Sequence, residues 1–238
     1  MSASKMSKVK RRFDKILHGD RDKFKKISFS QCGEDIIIDT VFLLRGIKKP
    51  TYIDIGANHP EFLNNTAIFY KRGSRGINIE ANPLLIGEFK KKRSEDINLN
   101  IGIGEVAGEM DFFVMADDTL STFSKEECDR MVAVGNKLDS VHKVKVNTIK
   151  EVLEKYTNGI FPDLLTIDVE GLDFQILKTI NFEHSFPKVI CVEAAEYSPI
   201  GAGARRTELI DYLLGKGYYE YANTNLNAVL VKNEFWFI

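Results

Sequence analysis

Charge of one sign is what this sequence most plainly lacks. Its formal net charge is −1, and so balanced a chain offers no general electrostatic footprint for nucleic acid. It also has no run of eighteen apolar residues, so no membrane-spanning helix is expected. The opening stretch, MSASKMSKVKRRFDKILHGD, is basic but has no apolar h-region and does not read as a secretion signal. Cysteine is scarce. Cys32, Cys128 and Cys191 are far apart and odd in number, and their spacing fits neither a zinc site nor a disulfide framework. Reduced thiols in a cytoplasmic protein are the simplest account. Internal repeats, low-complexity tracts and an obvious linker are missing too. What is present is a 44% hydrophobic composition over 238 residues, enough for an α/β domain with a sizeable core.

Along the chain, helical and strand patterns alternate. Residues 1–27 form a basic extension, in which Val9, Phe13, Ile16 and Leu17 fall near helical spacing. This extension is either a solvated cap or a contact for an acidic membrane surface or partner. Residues 28–238 are expected to make one domain. Within it, helices are expected over 34–45, from Thr66 to Arg72, from Asn82-Pro83 to Ser94, to Tyr156, over 172–180 and over 203–216. Strands are expected at 51–55, 76–80, 97–103, 143–148, 163–168 and 188–194, with a hairpin at 104–114 and a closing pair at YYEYAN and NAVLVKN. Residues 115–130 read as polar and irregular. Such alternation implies an α/β fold: an open, mostly parallel sheet with helices on both faces and an antiparallel C-terminal edge hairpin.

The stretch 51-TYIDIGANHPEFLNNT-66 carries the first chemical signal. A strand ends at Asp54-Ile55-Gly56, and Gly56 leaves bare backbone where a ligand would approach. The next strand ends at Glu80, where an acid can accept both hydroxyls of a ribose. The loop between holds one glycine, so the three-glycine fingerprint of a dinucleotide site is missing. It holds Asp54 and Glu61 and no Lys or Arg. S-adenosylmethionine suits that environment: an adenosine without phosphates, a zwitterionic tail and a cationic sulfonium. In the plainer reading Asp54 only caps a turn and Gly56 only relieves φ.

The series YIDIGANHPEFLNNT, FYKRGSRGINIEANP, the Gly108 hairpin and LLTIDVEGLDFQIL resembles the FkbM family of S-adenosylmethionine-dependent methyltransferases, as does the upstream SQCGEDIII. The likeness runs from about Ser28 to Glu193. It implies a class I, Rossmann-like methyltransferase fold and methylation of a hydroxyl oxygen on a sugar or natural product, with a polysaccharide or glycan precursor favoured. It also implies that Asp54, Gly56 and Asn58 form the cofactor loop, that Glu80 binds the ribose, and that Ala81 and Asn82 lie beside the adenosine. Gly102 and Ile103 would border the adenine, and Asp168 would sit by the methyl donor.

A sugar hydroxyl is a poor nucleophile near neutral pH, so a base or a metal should assist. Asp168, His59 and Glu170 are the catalytic candidates, with Asp168 or His59 taking the proton. Glu170 is otherwise a charge that favours the N-terminus of the following helix. Asp168, Glu193 and Glu196 offer oxygen ligands for Mg²⁺. A nicotinamide-dependent oxidoreductase and a non-catalytic nucleoside-binding module are the rival readings.

Overall fold

The structure is a computed structural model, and it describes residues 25–195 and 203–237. The basic extension expected over 1–27 lies outside the described residues apart from its last three, as does Glu196.

Among the described residues, eighteen helices and strands follow one another. They are α1 (Glu34–Leu44), β1 (Tyr52–Ile55), α2 (Ala67–Lys71), β2 (Gly76–Ile79), α3 (Ile86–Lys92), β3 (Ile97–Leu99), β4 (Gly102–Ile103), β5 (Gly108–Met115), α4 (Lys125–Ala133), β6 (Leu138–Asn147), α5 (Ile149–Thr157), β7 (Leu164–Ile167), α6 (Asp173–Lys178), β8 (Val189–Glu193), α7 (Thr207–Gly215), β9 (Tyr218–Asn223), β10 (Asn227–Lys232) and α8 (Asn233–Trp236). A seven-stranded sheet has the order β3-β2-β1-β7-β8-β10-β9. Its first five strands are parallel, and β10 runs antiparallel to both β8 and β9. This is the expected open, mostly parallel α/β sheet, closed by the expected C-terminal hairpin.

Strands β1, β7 and β10 are buried along their whole length, as befits a sheet covered on both faces. The two faces are separated by strand alternation. Ile53, Ile55, Leu165, Ile167, Ile190 and Val192 pack with α5, α6 and α7. Tyr52, Leu164, Val189 and Cys191 pack with Ile38, Val41 and Phe42 of α1 and Phe69 of α2. Helix α5 starts on a capping box, in which Thr148 Oγ1 accepts from Glu151 N and Glu151 accepts from Thr148 N. A cap of this kind contributes about 1 kcal/mol.

Chain order reverses between β1 and β7. From β1 the chain builds outward to β2 and β3, and from β7 outward to β8. The carboxyl ends of β1 and β7 therefore meet beside a crevice that no crossover covers.

Several expectations are corrected. The single strand over 97–103 is two strands in two sheets, since β4 belongs to a three-stranded sheet of order β4-β6-β5. Asn100 divides them, its Nδ2 donating to the carbonyls of Glu80 and Ala81. The strand at 143–148 is the end of the ten-residue β6, which pairs along the length of β5. The irregular stretch 115–130 holds a 3₁₀ turn at Asp118–Leu120 and the start of α4, which Ser124 caps by accepting from Glu127 N. The helix expected from Asn82-Pro83 begins only at Ile86. Asn82 Oδ1 instead accepts from Leu84 N in a turn.

Candidate functional site

A cavity of about 380 Å³ opens at the crevice, over the carboxyl ends of β1, β2, β7 and β8. That size suits a nucleoside-bearing small molecule. Gly56 shapes its floor. The residue has φ 78°, and a Cβ there would lie 1.8 Å from the Asp168 carbonyl oxygen. Only glycine lets the ends of β1 and β7 come so close. Gly56 N and Ala57 N both donate to Ile79 O, which draws the loop onto β2.

Glu80 stands at the end of β2, is 5% exposed and lines the cavity. Its Oε2 accepts from Asn58 N at 2.7 Å and its Oε1 from Asn82 N at 2.6 Å. Burial pushes its carboxyl up to about 7, although both backbone N–H groups favour the charged form. Asn58 holds φ 49° to present that N–H. Ile79, Ala81, Ile101, Gly102 and Ile103 form an apolar wall. Phe112 and Phe123 stack against it, with centroids 4.7 Å apart. A Cβ at Gly102 would meet the Phe123 ring at 2.4 Å, so that glycine admits the aromatic ring.

At the far end, carboxylate oxygens of Asp168, Glu170 and Glu193 lie within 4.8 Å of one another. All three residues line the cavity. Each carboxyl is held above its ordinary range, first by burial and then by the negative charge of its neighbours. Arg206 sets a limit on that repulsion, with Nη1 2.9 Å from Glu193 Oε2 and 3.2 Å from Asp173 Oδ2.

Two candidates sit elsewhere. Asp54 does not line the cavity. It is on the opposite face of β1 from Ile53 and Ile55, and its Oδ2 accepts from Asn64 Nδ2 and Thr66 Oγ1. Behind it lies Arg93, 1% exposed. Arg93 Nη1 donates to Asn64 Oδ1 and Thr66 Oγ1, and its Nε donates to Asp96 Oδ2. Asp96 in turn accepts from the Tyr52 hydroxyl and from Gly76 N. The network fastens the loop that follows β1 to the strands beneath it. His59 is also outside the cavity lining. Its Nδ1 accepts from Glu61 N and Phe62 N, which makes it the acceptor of a tight turn. Asn82 is 2% exposed and reaches the site through its backbone N–H alone.

The sequence reading missed Phe112 as a lining residue and Arg206 as partner of Glu193. It reads 116–127 as a loop long enough to cover the acceptor or else a disordered surface loop, without naming its residues, and Asp117, Asp118 and Phe123 of that loop line the cavity. Asp117 and Asp118 stand in the polar stretch 115–130, and their composition alone does not distinguish them from surface acids.

Among the described residues, the lining holds six acids (Glu80, Asp117, Asp118, Asp168, Glu170, Glu193) and no Lys, Arg or His. Such a cavity disfavours a pyrophosphate and suits a ligand with cationic groups. The residues present therefore fit S-adenosylmethionine: an acid placed for ribose hydroxyls, an apolar slot, and a negative field for a sulfonium and an ammonium.

A family profile described as "Methyltransferase FkbM domain" matches residues 54–219, well over half of the chain. No curated protein matches it. Solved structures to which it is similar include a TehB-like SAM-dependent methyltransferase from Corynebacterium glutamicum, with 12% identity and a TM-score of 0.43, over 97% of this chain and 98% of that one. Another is the 1,6-didemethyltoxoflavin-N1-methyltransferase of Burkholderia thailandensis, with bound 1,6-didemethyltoxoflavin and S-adenosylhomocysteine. It shares 11% identity at a TM-score of 0.42, over 97% of this chain and 89% of that one.

Proposed function

The chain belongs to the FkbM family of S-adenosylmethionine-dependent methyltransferases, and from that premise we propose that it methylates a hydroxyl oxygen, that of a sugar in a polysaccharide or glycan precursor. The observation that carries this reading is the three-acid group facing an acid-lined, nucleoside-sized cavity. A hydroxyl must shed a proton as it is methylated, and a carboxylate group at the methyl end can receive it.

In this reading Glu80 accepts the ribose hydroxyls, and Asn58 and Gly56 shape the loop beside them. Ala81, Gly102 and Ile103, with Phe123, enclose the adenine. Asp168 lies by the methyl donor. Asp54 serves the cofactor indirectly, by fixing the loop through Asn64 and Thr66. When bound there, the cofactor would supply an electrophilic methyl carbon, the new O–C bond forming as the C–S bond breaks to leave a neutral thioether. Asp168, Glu170 and Glu193 take the proton released from the oxygen. Burial, and then mutual repulsion, raises their proton affinity, that of Asp168 to about 7, so the group offers a base near neutral pH. Asp168 is the most open of the three to the cavity. The enzyme's main task is to hold the hydroxyl in line with the breaking bond.

The test is turnover with labelled S-adenosylmethionine against a panel of sugars, nucleotide sugars and oligosaccharides, with matching amines as controls. Label on a hydroxyl oxygen, located by mass spectrometry, supports the proposal. Label found only on amine nitrogen refutes the oxygen assignment.

A further inference from the structure

We propose that Asp168, Glu170 and Glu193 form a divalent-cation site that takes Mg²⁺ or Mn²⁺ between the cofactor end of the cavity and the acceptor. The inference rests on the methyl-transfer reading only for what the cation would hold, not for its binding.

Three observations converge. The first is distance: one carboxylate oxygen from each residue lies within 4.8 Å of the other two. Oxygen ligands about 2.0–2.6 Å from a shared hard cation stand at such separations. All three groups are oxygen donors, which favours Mg²⁺ or Mn²⁺ over zinc or copper.

The second is an orphaned atom. Glu170 Oε2 is shut off from solvent and accepts no hydrogen bond. A buried carboxylate oxygen with no partner is costly and rarely tolerated. The backbone does not relieve it, because Glu170 holds φ 50° and its carbonyl is fixed by the Thr122 hydroxyl at 2.8 Å. That fixed peptide carries the side chain toward Asp168 and Glu193.

The third is charge. Asp173 stands beside the cluster and is fully buried. Asp168, Glu170, Glu193 and Asp173 are thus four carboxyls in one place, and among the described residues the cation paired with the group is Arg206. Arg206 is committed to Glu193 Oε2 and Asp173 Oδ2. Among the described residues, no ion pair joins a cation to Asp168 or Glu170. A divalent ion at the cluster would balance what Arg206 leaves.

Such an ion would face the cavity, since all three ligands line it. Its remaining positions suit an acceptor oxygen. Metal coordination lowers the pKa of a bound hydroxyl, so with the ion in place the proton would leave to water at the cavity mouth instead of to the three carboxylates, which would then serve as ligands. The bonds made and broken at the methyl carbon are those already given.

The test uses the full chain, stripped with chelator and dialysed, then titrated with Mn²⁺ while the free ion is followed by electron paramagnetic resonance. Binding of S-adenosylhomocysteine is measured on the same samples. The expected result is one Mn²⁺ per chain, weakened at least about ten-fold by Glu170→Gln and by Glu193→Gln. Glu88→Gln, on the exposed side of α3, should leave it unchanged. Circular dichroism of each variant confirms that it is folded, and the two Gln variants perturb different parts of the cluster. Absence of Mn²⁺ binding in a chain that binds S-adenosylhomocysteine overturns the cation site and leaves the methyltransferase reading standing. Full-affinity binding in both Gln variants also overturns it, because the ion then lies elsewhere. Mn²⁺ binding that both variants weaken, in a chain that does not bind S-adenosylhomocysteine, supports the site and counts against the donor reading.

Discussion

Replacing Glu80 with Gln should remove a loss of stability that sets in as pH rises, and should weaken cofactor binding. Burial lifts the Glu80 carboxyl from an ordinary 4.5 to about 7. Between those values the unfolded chain has released this proton and the folded chain has kept it, so stability falls as pH rises. At 1.36 kcal/mol per pKa unit the loss reaches about 3 kcal/mol above pH 7. Gln does not ionise, but its amide has one acceptor oxygen where Glu80 accepts from both Asn58 N and Asn82 N. One of those N–H groups loses its acceptor at every pH, at about 1–3 kcal/mol, so the variant should be the less stable of the two at pH 5. Between pH 5 and pH 8 the difference should shift in the variant's favour by about 3 kcal/mol, on the order of 6–12 °C in melting temperature for a chain of this size. The other crowded acids are common to both proteins and cancel in the comparison. Binding should move the opposite way. A carboxylate takes two ribose hydroxyls, whereas an amide offers one acceptor, and a hydrogen bond to a charged group contributes about 1.5–3 kcal/mol. S-adenosylhomocysteine should then bind roughly 10–100-fold more weakly at pH 8. Differential scanning fluorimetry at both pH values and calorimetric titration at pH 8 measure the two effects. Parallel melting curves would refute the burial argument, and an affinity changed less than about three-fold would refute the ribose assignment.

Four further outcomes follow from the same geometry. Gly56→Ala must move the Asp168 carbonyl, now 1.8 Å from the new Cβ. Displacement on that scale should cost about 10²-fold in turnover, to be read by steady-state kinetics. Arg93→Met strips the buried Asp96 and the Asn64–Thr66 pair of their cation. It should destabilise the fold by about 3–5 kcal/mol, and a melting temperature within about 2 °C of the parent would contradict that role. Asp168→Asn should lower kcat about 10²-fold if it passes on the proton. His59→Ala should leave kcat nearly unchanged and lower stability by about 1–3 kcal/mol, because two backbone N–H groups lose their acceptor.

The sheet was legible because its strands are buried on both faces and read as short apolar runs bounded by Gly, Asn and Asp. Gly56, Glu80 and Asp168 were legible as the residues that end those strands, where an α/β sheet places its ligands. What sequence did not convey was the direction of side chains and the second sheet. Asp54 follows Ile53 on the strand and so points to the other face, behind the cavity, a parity that strand alternation could have supplied. His59 looked available until the backbone N–H groups of Glu61 and Phe62 were seen to occupy it. Arg93 closes the run KKKR and reads as one more solvated charge. Only its helical spacing from Ile86 and Phe89, both buried, marks it as inward-facing. Helix α4 escaped notice because KEECDRMVA buries only Cys128 and Met131. The convergence of Glu170 and Glu193 on Asp168 depends on an unusual φ at Glu170 and on two neighbouring strands. No local pattern encodes it.

The central claim is that the acid-lined cavity beside Gly56 and Glu80 is a site for S-adenosylmethionine. Calorimetric titration of the full chain with S-adenosylhomocysteine, and separately with NAD, tests it most directly. The account requires one S-adenosylhomocysteine per chain and no heat from NAD. Binding of NAD in place of S-adenosylhomocysteine would contradict it.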